Sequence, residues 1–429
     1  MPEAYSWSWI ETQVAQTVEV WNACAAQPAH GGPRYSTDEQ KQREKAYDKA
    51  LRELEREAKR KPRTRVERLE TQRRITASFG RFSAAALDLP DGAIQLLTDD
   101  FLPVGTRLAR WARRFDASLS MTDIVQACRN AWTACGLQPL LGARLQLTPS
   151  ILGYSLLYPY TDNFLDRTDI TSEAKRRFSE RFRERLRGER ISAQSSHEIA
   201  LWALVELVEG QYSREGHPQV FDCLLAIHRA QEDSVAQLDA APHATSDILR
   251  VSCAKGGSSV LADACLANGW LSEQESRFAF EWGVLLQLGD DLQDVREDLE
   301  RGSTTLFTRA VAHGIPLDPL AEQLFSFSES VGARMDCLPN GSAMLKDLLR
   351  MSWRSLIVGA VGDSHEFFTP EFVAQTERIS PFRFAFLRAR RKRLTSRQGL
   401  FATLFEAFLE APEEEIDEIP LPAIELAAV

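Results

Sequence analysis

The chain has 429 residues, 44% of them hydrophobic, enough to bury a large core and more than one compact domain usually holds. Its formal charge of −10, from 61 acidic against 51 basic residues, excludes a net field that would draw it to nucleic acid. Seven cysteines, at 24, 128, 135, 223, 253, 265 and 337, form no C-x-x-C pair and are odd in number. That argues against a disulfide framework or a zinc site, and predicts reduced, mostly buried thiols in a cytoplasmic protein.

Met1 to Ile10 carry Glu3, Trp7 and Trp9 and no basic-then-apolar run, so an export signal is not expected. Residues 1–95 read as a helical N-terminal extension. Within it, residues 37–75 are dense in alternating charge, which predicts a solvated helical hairpin broken near Pro62. From about residue 96 apolar positions recur at spacings of three and four, with breaks expected at Pro139, Pro149, Pro159, Gly188 and Pro218. Strand-like alternation is hard to find, so the fold class is all-α, with a helix-bundle core over residues 96–365. Apolar stretches such as Ala200 to Val208 are interrupted by glutamate well short of the roughly 20 residues that span a bilayer.

Glu273 to Arg301 reads as one long helix, apolar through Leu288 and acidic beyond it. Residues 366–410 read as C-terminal helices, with a basic cluster at Arg388, Arg390, Arg391, Lys392 and Arg393. That cluster has three readings: a solvated helix face, a diphosphate cap, or a peripheral contact with a membrane surface. Residues 411–429 form an acidic tail, expected to be disordered or loosely docked.

Residues four apart share a helix face, so Asp290, Asp294 and Asp298 form a stripe of carboxylates, with Asp291 one step round. Like charges in this register repel, and a hard cation such as Mg²⁺ relieves the repulsion while also binding phosphate oxygens. The alternative is a solvated acidic face with Arg296 and Arg301 as local partners. Asp162 and Asp166 repeat the spacing in YPYTDNFLDR, after an apolar run from Ile151 to Tyr160. Each cluster therefore follows an apolar helical stripe: Tyr158 lies one turn before Asp162, and Leu286 and Trp282 lie one and two turns before Asp290. The expected site is an apolar pocket with a metal-binding rim, suited to a hydrocarbon body with a diphosphate head. Tyr154, Tyr158, Phe164, Phe278 and Trp282 are candidates for stabilising a cation by their ring faces, with core packing as the alternative for each.

These motifs resemble the class I isoprenoid synthases, the superfamily of prenyl diphosphate synthases, squalene and phytoene synthases and class I terpene cyclases. In LGDDLQDVREDLERG, Asp290, Asp294 and Asp298 are similar to the three ligands of the cyclase pattern N-D-x-x-S-x-x-x-E, and Asp290, Asp291 and Asp294 to the D-D-x-x-D of prenyl synthases. Arg301 and Gly302 resemble the basic-glycine continuation of that motif. DNFLD is a variant of the first motif, with Asn163 in its second place. The resemblance spans residues 100–365 and implies a helical bundle, three Mg²⁺ ions, metal ligands at Asp162, Asp166, Asp290, Asp291, Asp294 and Asp298, and a prenyl diphosphate substrate. It further implies a diphosphate contact at Lys255, a diphosphate sensor at Arg250, a helix break at Gly256 and Gly257, and weaker roles for Gln231 and Asp233.

Two departures favour a cyclase. The glycine-lysine-arginine segment that binds isopentenyl diphosphate is missing, and Lys175, Arg176 and Arg177 lie in a charged helix without the expected glycine and proline. The leading expectation is therefore a Mg²⁺-dependent terpene synthase in which Asp162, Asp166, Asp290 and Asp294 are catalytic, with Tyr158, Trp282, Lys255, Arg250 and Arg301 binding substrate. A chain-elongating or head-to-head prenyltransferase and a non-catalytic helical interaction protein are the alternatives. A homodimer is compatible with the sequence, and no nucleic-acid partner is expected.

Overall fold

The computed structural model describes residues 5–24, 33–60, 62–167, 169–238, 245–395, 409 and 419–422. Among them every regular element is helical, and no strand forms. The first helix, α1 (Trp7–Ala23), is capped by the Ser6 hydroxyl and buries Ile10, Val14 and Trp21. The expected hairpin follows as α2 (Thr37–Arg60) and α3 (Arg65–Leu87), with Pro62 in the turn and a reciprocal cap between Thr64 and Glu67 starting α3. Arg74 to Glu57 and Arg81 to Glu53, both 2.9 Å, join the two helices.

After α4 (Asp91–Gln95) and a wide turn at Leu96–Phe101 come α5 (Leu102–Phe115), α6 (Met121–Leu140), α7 (Pro149–Asp166), α8 (Ser172–Leu186), α9 (Ser196–Gln211) and α10 (Pro218–Leu238). Then follow α11 (Thr245–Asn268), α12 (Glu273–Gln293), α13 (Val295–Arg301), α14 (Leu306–Ala312), α15 (Asp318–Asp336), α16 (Ala343–Asp363), α17 (Pro370–Glu377) and α18 (Phe384–Thr395). Among the described residues no helix is long and apolar enough to cross a membrane. The described cysteines are all unbridged, and five of the seven are buried.

The expected helix breaks hold only in part. Pro149 and Pro218 open helices, where the missing N–H is no loss, and Gly188 follows α8 at φ 92°. Pro139 lies inside α6 and Pro159 inside α7. Buried Leu156 and Leu157 before the proline and buried Tyr160 and Leu165 after it keep α7 on the core across Pro159. The long acidic helix is also not continuous. It bends at Asp294, whose φ and ψ of −96° and 9° separate α12 from α13.

Gly256 and Gly257 do not break α11. They let it touch α12: a Cβ at Gly256 would lie 2.4 Å from Gln287 Cβ, and one at Gly283 only 2.0 Å from the Gly256 carbonyl oxygen. The absence of side chains here brings two backbones together, as small residues do wherever helices approach closely. α12 thereby sits at the centre of the bundle, packed against α11, α15 and α16, with Phe278, Phe280, Val284 and Leu288 fully buried. A buried polar junction fixes α6, α7 and α11: the Asn130 amide donates to Ser155 Oγ at 3.2 Å and to Asp263 Oδ1 at 3.1 Å.

Candidate functional site

The local sequence explains why α12 changes character along its length. Its start is fixed by a reciprocal cap between Ser272 and Glu275, and its apolar body fills the core. Past Leu288 one face stays in the core through Leu292 and Val295, while the other becomes acidic and turns outward. Asp290 is half-exposed, Asp291 is buried, Asp294 is exposed and Asp298 is partly covered. The bend does not destroy the register: Asp294 N–H donates to the Asp290 carbonyl at 2.8 Å and Asp298 N–H to the Asp294 carbonyl at 2.9 Å. Asp290, Asp294 and Asp298 remain successive steps of one acidic row.

Asp291 is held apart from the row's solvent face. Ser252 Oγ on α11 donates to its Oδ2 at 3.1 Å, and Gln287 Nε2 donates to Oδ1 at 2.7 Å. Burial nevertheless pushes its carboxyl up to about 6, against the opposing effects of Gln287, Lys255 and Ser252. Burial also raises the carboxyls of Asp290, Asp294 and Asp298, and the repulsion expected of the row adds to it: Asp294 raises both Asp290 and Asp298.

Four cations from four helices surround this row. Lys255 on α11 acts on Asp290, Asp291 and Asp298. Arg129 on α6 brings Nη2 to 3.7 Å from Asp290 Oδ1. Arg301 at the end of α13 acts on Asp294 and Asp298, and Arg391 on α18 acts on Asp294. Arg296 turns away to Glu366 and the Asp363 carbonyl. Nothing in the sequence ties Arg129 to the Asp290 row, because no local spacing connects it, and Arg391 stands out there only as one member of a basic cluster that could cap a diphosphate. Gln287 was legible in principle, one turn before Asp291 on the same face.

Directly below the row lies an apolar cavity of about 920 Å³. Trp282 and Leu286 line it from α12, Val125, Cys128 and Trp132 from α6, and Leu349 and Trp353 from α16. The α2–α3 hairpin supplies another wall, including Leu51, Leu54, Phe79 and Phe82. Among the described residues the lining carries no charged side chain.

The other expected residues are placed less centrally. The backbone puts Asp162, Asn163 and Asp166 near the end of α7, but their side chains lie outside the described residues. Tyr158 is partly exposed on α7 and is not among the residues lining the cavity, so the idea of two stripes flanking one pocket holds here for α12 alone. Phe278 packs in the core against Trp282, and Phe164 stacks on His197, so both have packing roles. Tyr154 is buried in the core. Arg250 is exposed on α11, beside buried Cys253. Gln231 is buried in α10, and the neighbouring Arg229 lies 4.1 Å over the Trp7 ring.

The basic cluster on α18 is largely engaged by protein. Arg388 donates to the Gly362 carbonyl at 2.7 Å, Arg390 binds both oxygens of Asp48 at 2.6 Å, and Arg391 reaches Asp363 at 2.5 Å. Arg393's side chain lies outside the described residues.

Among the described residues no three histidine, cysteine, aspartate or glutamate side chains converge on a common metal position. The aspartates form a row instead of a cage. No protein-family model matches the chain, and no curated protein matches it. The functional reading therefore stands on the residues and their geometry.

Proposed function

We propose that this chain is a class I terpene synthase with the class I isoprenoid synthase fold, ionising an allylic prenyl diphosphate and releasing diphosphate as the cation cyclises or loses a proton. The observation that carries this reading is the position of Trp282 and Leu286 in the wall of an uncharged cavity, directly below Asp290 on one helix. A hydrocarbon chain fits the cavity, and a charged head fits the rim above it.

The donor set suits Mg²⁺. A Mg²⁺ site commonly takes only one or two carboxylates and completes its shell with phosphate and water, so an open row is compatible with it where a closed cage is lacking. The raised carboxyls of Asp290, Asp294 and Asp298 are the electrostatic cost that a cation would remove. These three residues would hold the metal, with Asp162 and Asp166 proposed as its ligands from α7. When bound, Mg²⁺ supplies Lewis-acid neutralisation of the departing diphosphate.

The chain's own residues do the rest. In this reading Lys255, Arg129 and Arg301 would take diphosphate oxygens, and Asp291, tied to Ser252 and Gln287, would keep α11 and its Lys255 beside the row. The cavity's uncharged lining would favour hydrocarbon over water, and the faces of Trp132, Trp282 and Trp353 offer cation–π attraction to developing positive charge. Purified protein incubated with Mg²⁺ and geranyl, farnesyl, geranylgeranyl and longer diphosphates should release diphosphate and form extractable hydrocarbon from at least one of them. Silence across the series would sink the proposal, and consumption of two substrates per product would convert it to a prenyltransferase.

A further inference from the structure

The cavity has a size and a wall that the acidic row does not explain. At roughly 30 Å³ for each non-hydrogen atom, the share a water molecule takes in the liquid, an open-mouthed cavity of 920 Å³ accommodates up to about 30 such atoms. That is six isoprene units, twice a farnesyl chain. A shorter chain would leave part of an apolar space unfilled and forfeit the dispersion attraction of the walls around it.

We infer that the cavity holds a linear hydrocarbon chain of about six isoprene units, and that the α2–α3 hairpin is the wall that sets this length. This deepens the proposed function, on whose reading the diphosphate end rests. Three features support it. The lining offers hydroxyls but no charge, so the occupant carries no ionic group below the rim. The hairpin supplies Tyr47, Ala50, Leu51 and Leu54 from α2 and Phe79 and Phe82 from α3, so its apolar face is committed to the cavity despite its charged exterior. Phe79, Val125 and Trp132 line the cavity while remaining 41%, 42% and 36% exposed, which marks an apolar opening between α3 and α6 through which a water-insoluble chain can enter.

The test uses hydrocarbons without phosphate, so that it does not depend on the ionisation chemistry. Full-length protein is loaded with a polarity-sensitive dye and titrated with farnesane, phytane, squalene and lycopene, of three, four, six and eight isoprene units. Squalene should displace the dye at least tenfold more tightly than farnesane, with lycopene no better than squalene. Ala50→Trp and Leu54→Trp, which fill the hairpin wall, should weaken squalene at least tenfold and leave farnesane unchanged, and Leu54→Met should behave as wild type. Retained farnesane binding shows that the tryptophan variants are folded. If both variants lose farnesane binding, the smaller Ala50→Leu replaces them and must weaken squalene selectively. Failure of squalene to displace the dye, equal affinity for all four hydrocarbons, or unchanged squalene affinity in the filled variants overturns the inference. Squalene binding without diphosphate release from any prenyl diphosphate would overturn the enzymatic reading and leave the cavity assignment standing.

Discussion

Asp290 and Asp263 are both carboxylates under strain, and the difference between them separates function from architecture. Asp290 is half-exposed, crowded by Asp294 and answered by Arg129 and Lys255. Replacing it with asparagine removes a destabilised charge, so Asp290→Asn should keep or raise the melting temperature. Under the proposed function, the same change should lower Mg²⁺-dependent diphosphate release by roughly 100-fold or more, the usual scale for losing one electrostatic contact to a transition state. A fall in stability together with activity would mark the residue as structural. Asp263 is fully enclosed, and burial lifts its carboxyl well above the ordinary value of 3.8, although the Asn130 amide opposes the shift. The folded state keeps its proton where the unfolded chain releases it. Stability from this residue is therefore whole below 3.8 and declines as pH rises through the interval up to its folded value. The decline for one proton is at most about 1.4 kcal/mol per pH unit. Asp263→Asn retains the acceptor for Asn130 and should flatten that slope, with the gain over wild type growing from pH 4 to 8 in denaturant titrations. Parallel slopes for the two proteins would contradict it. The Asp290 row was legible because its spacing is local, whereas Asp263 carries no signal in sequence that it pairs with Asn130 on another helix.

Helices depend on their neighbours as well as on their own residues, and this is where sequence patterns misled. Pro159 suggested a break, but the buried face of α7 outweighs one missing hydrogen bond. Gly256 and Gly257 suggested a break as well, because glycine disfavours a helix when only the local chain is considered. What overrides that preference is Gly283 on α12, a partner that local propensity does not include. Conversely, the bend at Asp294 has no proline or glycine to announce it. The α11–α12 contact is also what brings Lys255 and Ser252 to the acidic row. Gly283→Ala would place a methyl 2.0 Å from the Gly256 carbonyl oxygen, a backbone atom with no rotamer to escape into. The helices must separate, at a cost of about 1–3 kcal/mol typical of overpacking. Chemical denaturation should show that cost, and the Ser252 hydrogen bond to Asp291 should break with it. An alanine variant as stable as wild type would mean that the two helices slide freely.

Across the whole molecule, the hairpin meets the C-terminal helices through polar groups at its back while its apolar face closes the cavity. Gln40 Nε2 donates to the Glu377 and Ser380 carbonyls at 2.8 and 3.0 Å, Arg390 binds Asp48, and Arg383 donates to Glu44 from its backbone N–H at 3.1 Å and from Nε at 2.8 Å. The all-α class was legible throughout, and so was the hairpin with its turn at Pro62. Its service as a cavity wall was not, since the charge pattern of residues 37–75 dominates and hides a stripe at Tyr47, Ala50, Leu51 and Leu54 that has helical spacing. Glu44 is 5% exposed and relies on Arg383 for both carboxylate oxygens. Arg383→Ala would leave that buried carboxylate with only a backbone donor and should destabilise the contact. Because the contact joins the hairpin to the residue just before α18 and not to α11 or α12, the destabilisation should be local. Hydrogen exchange should quicken over residues 37–87 while α11 and α12 keep their protection, the pattern of a sub-global opening. Uniform acceleration across the chain would instead show that the hairpin and the bundle unfold as one unit.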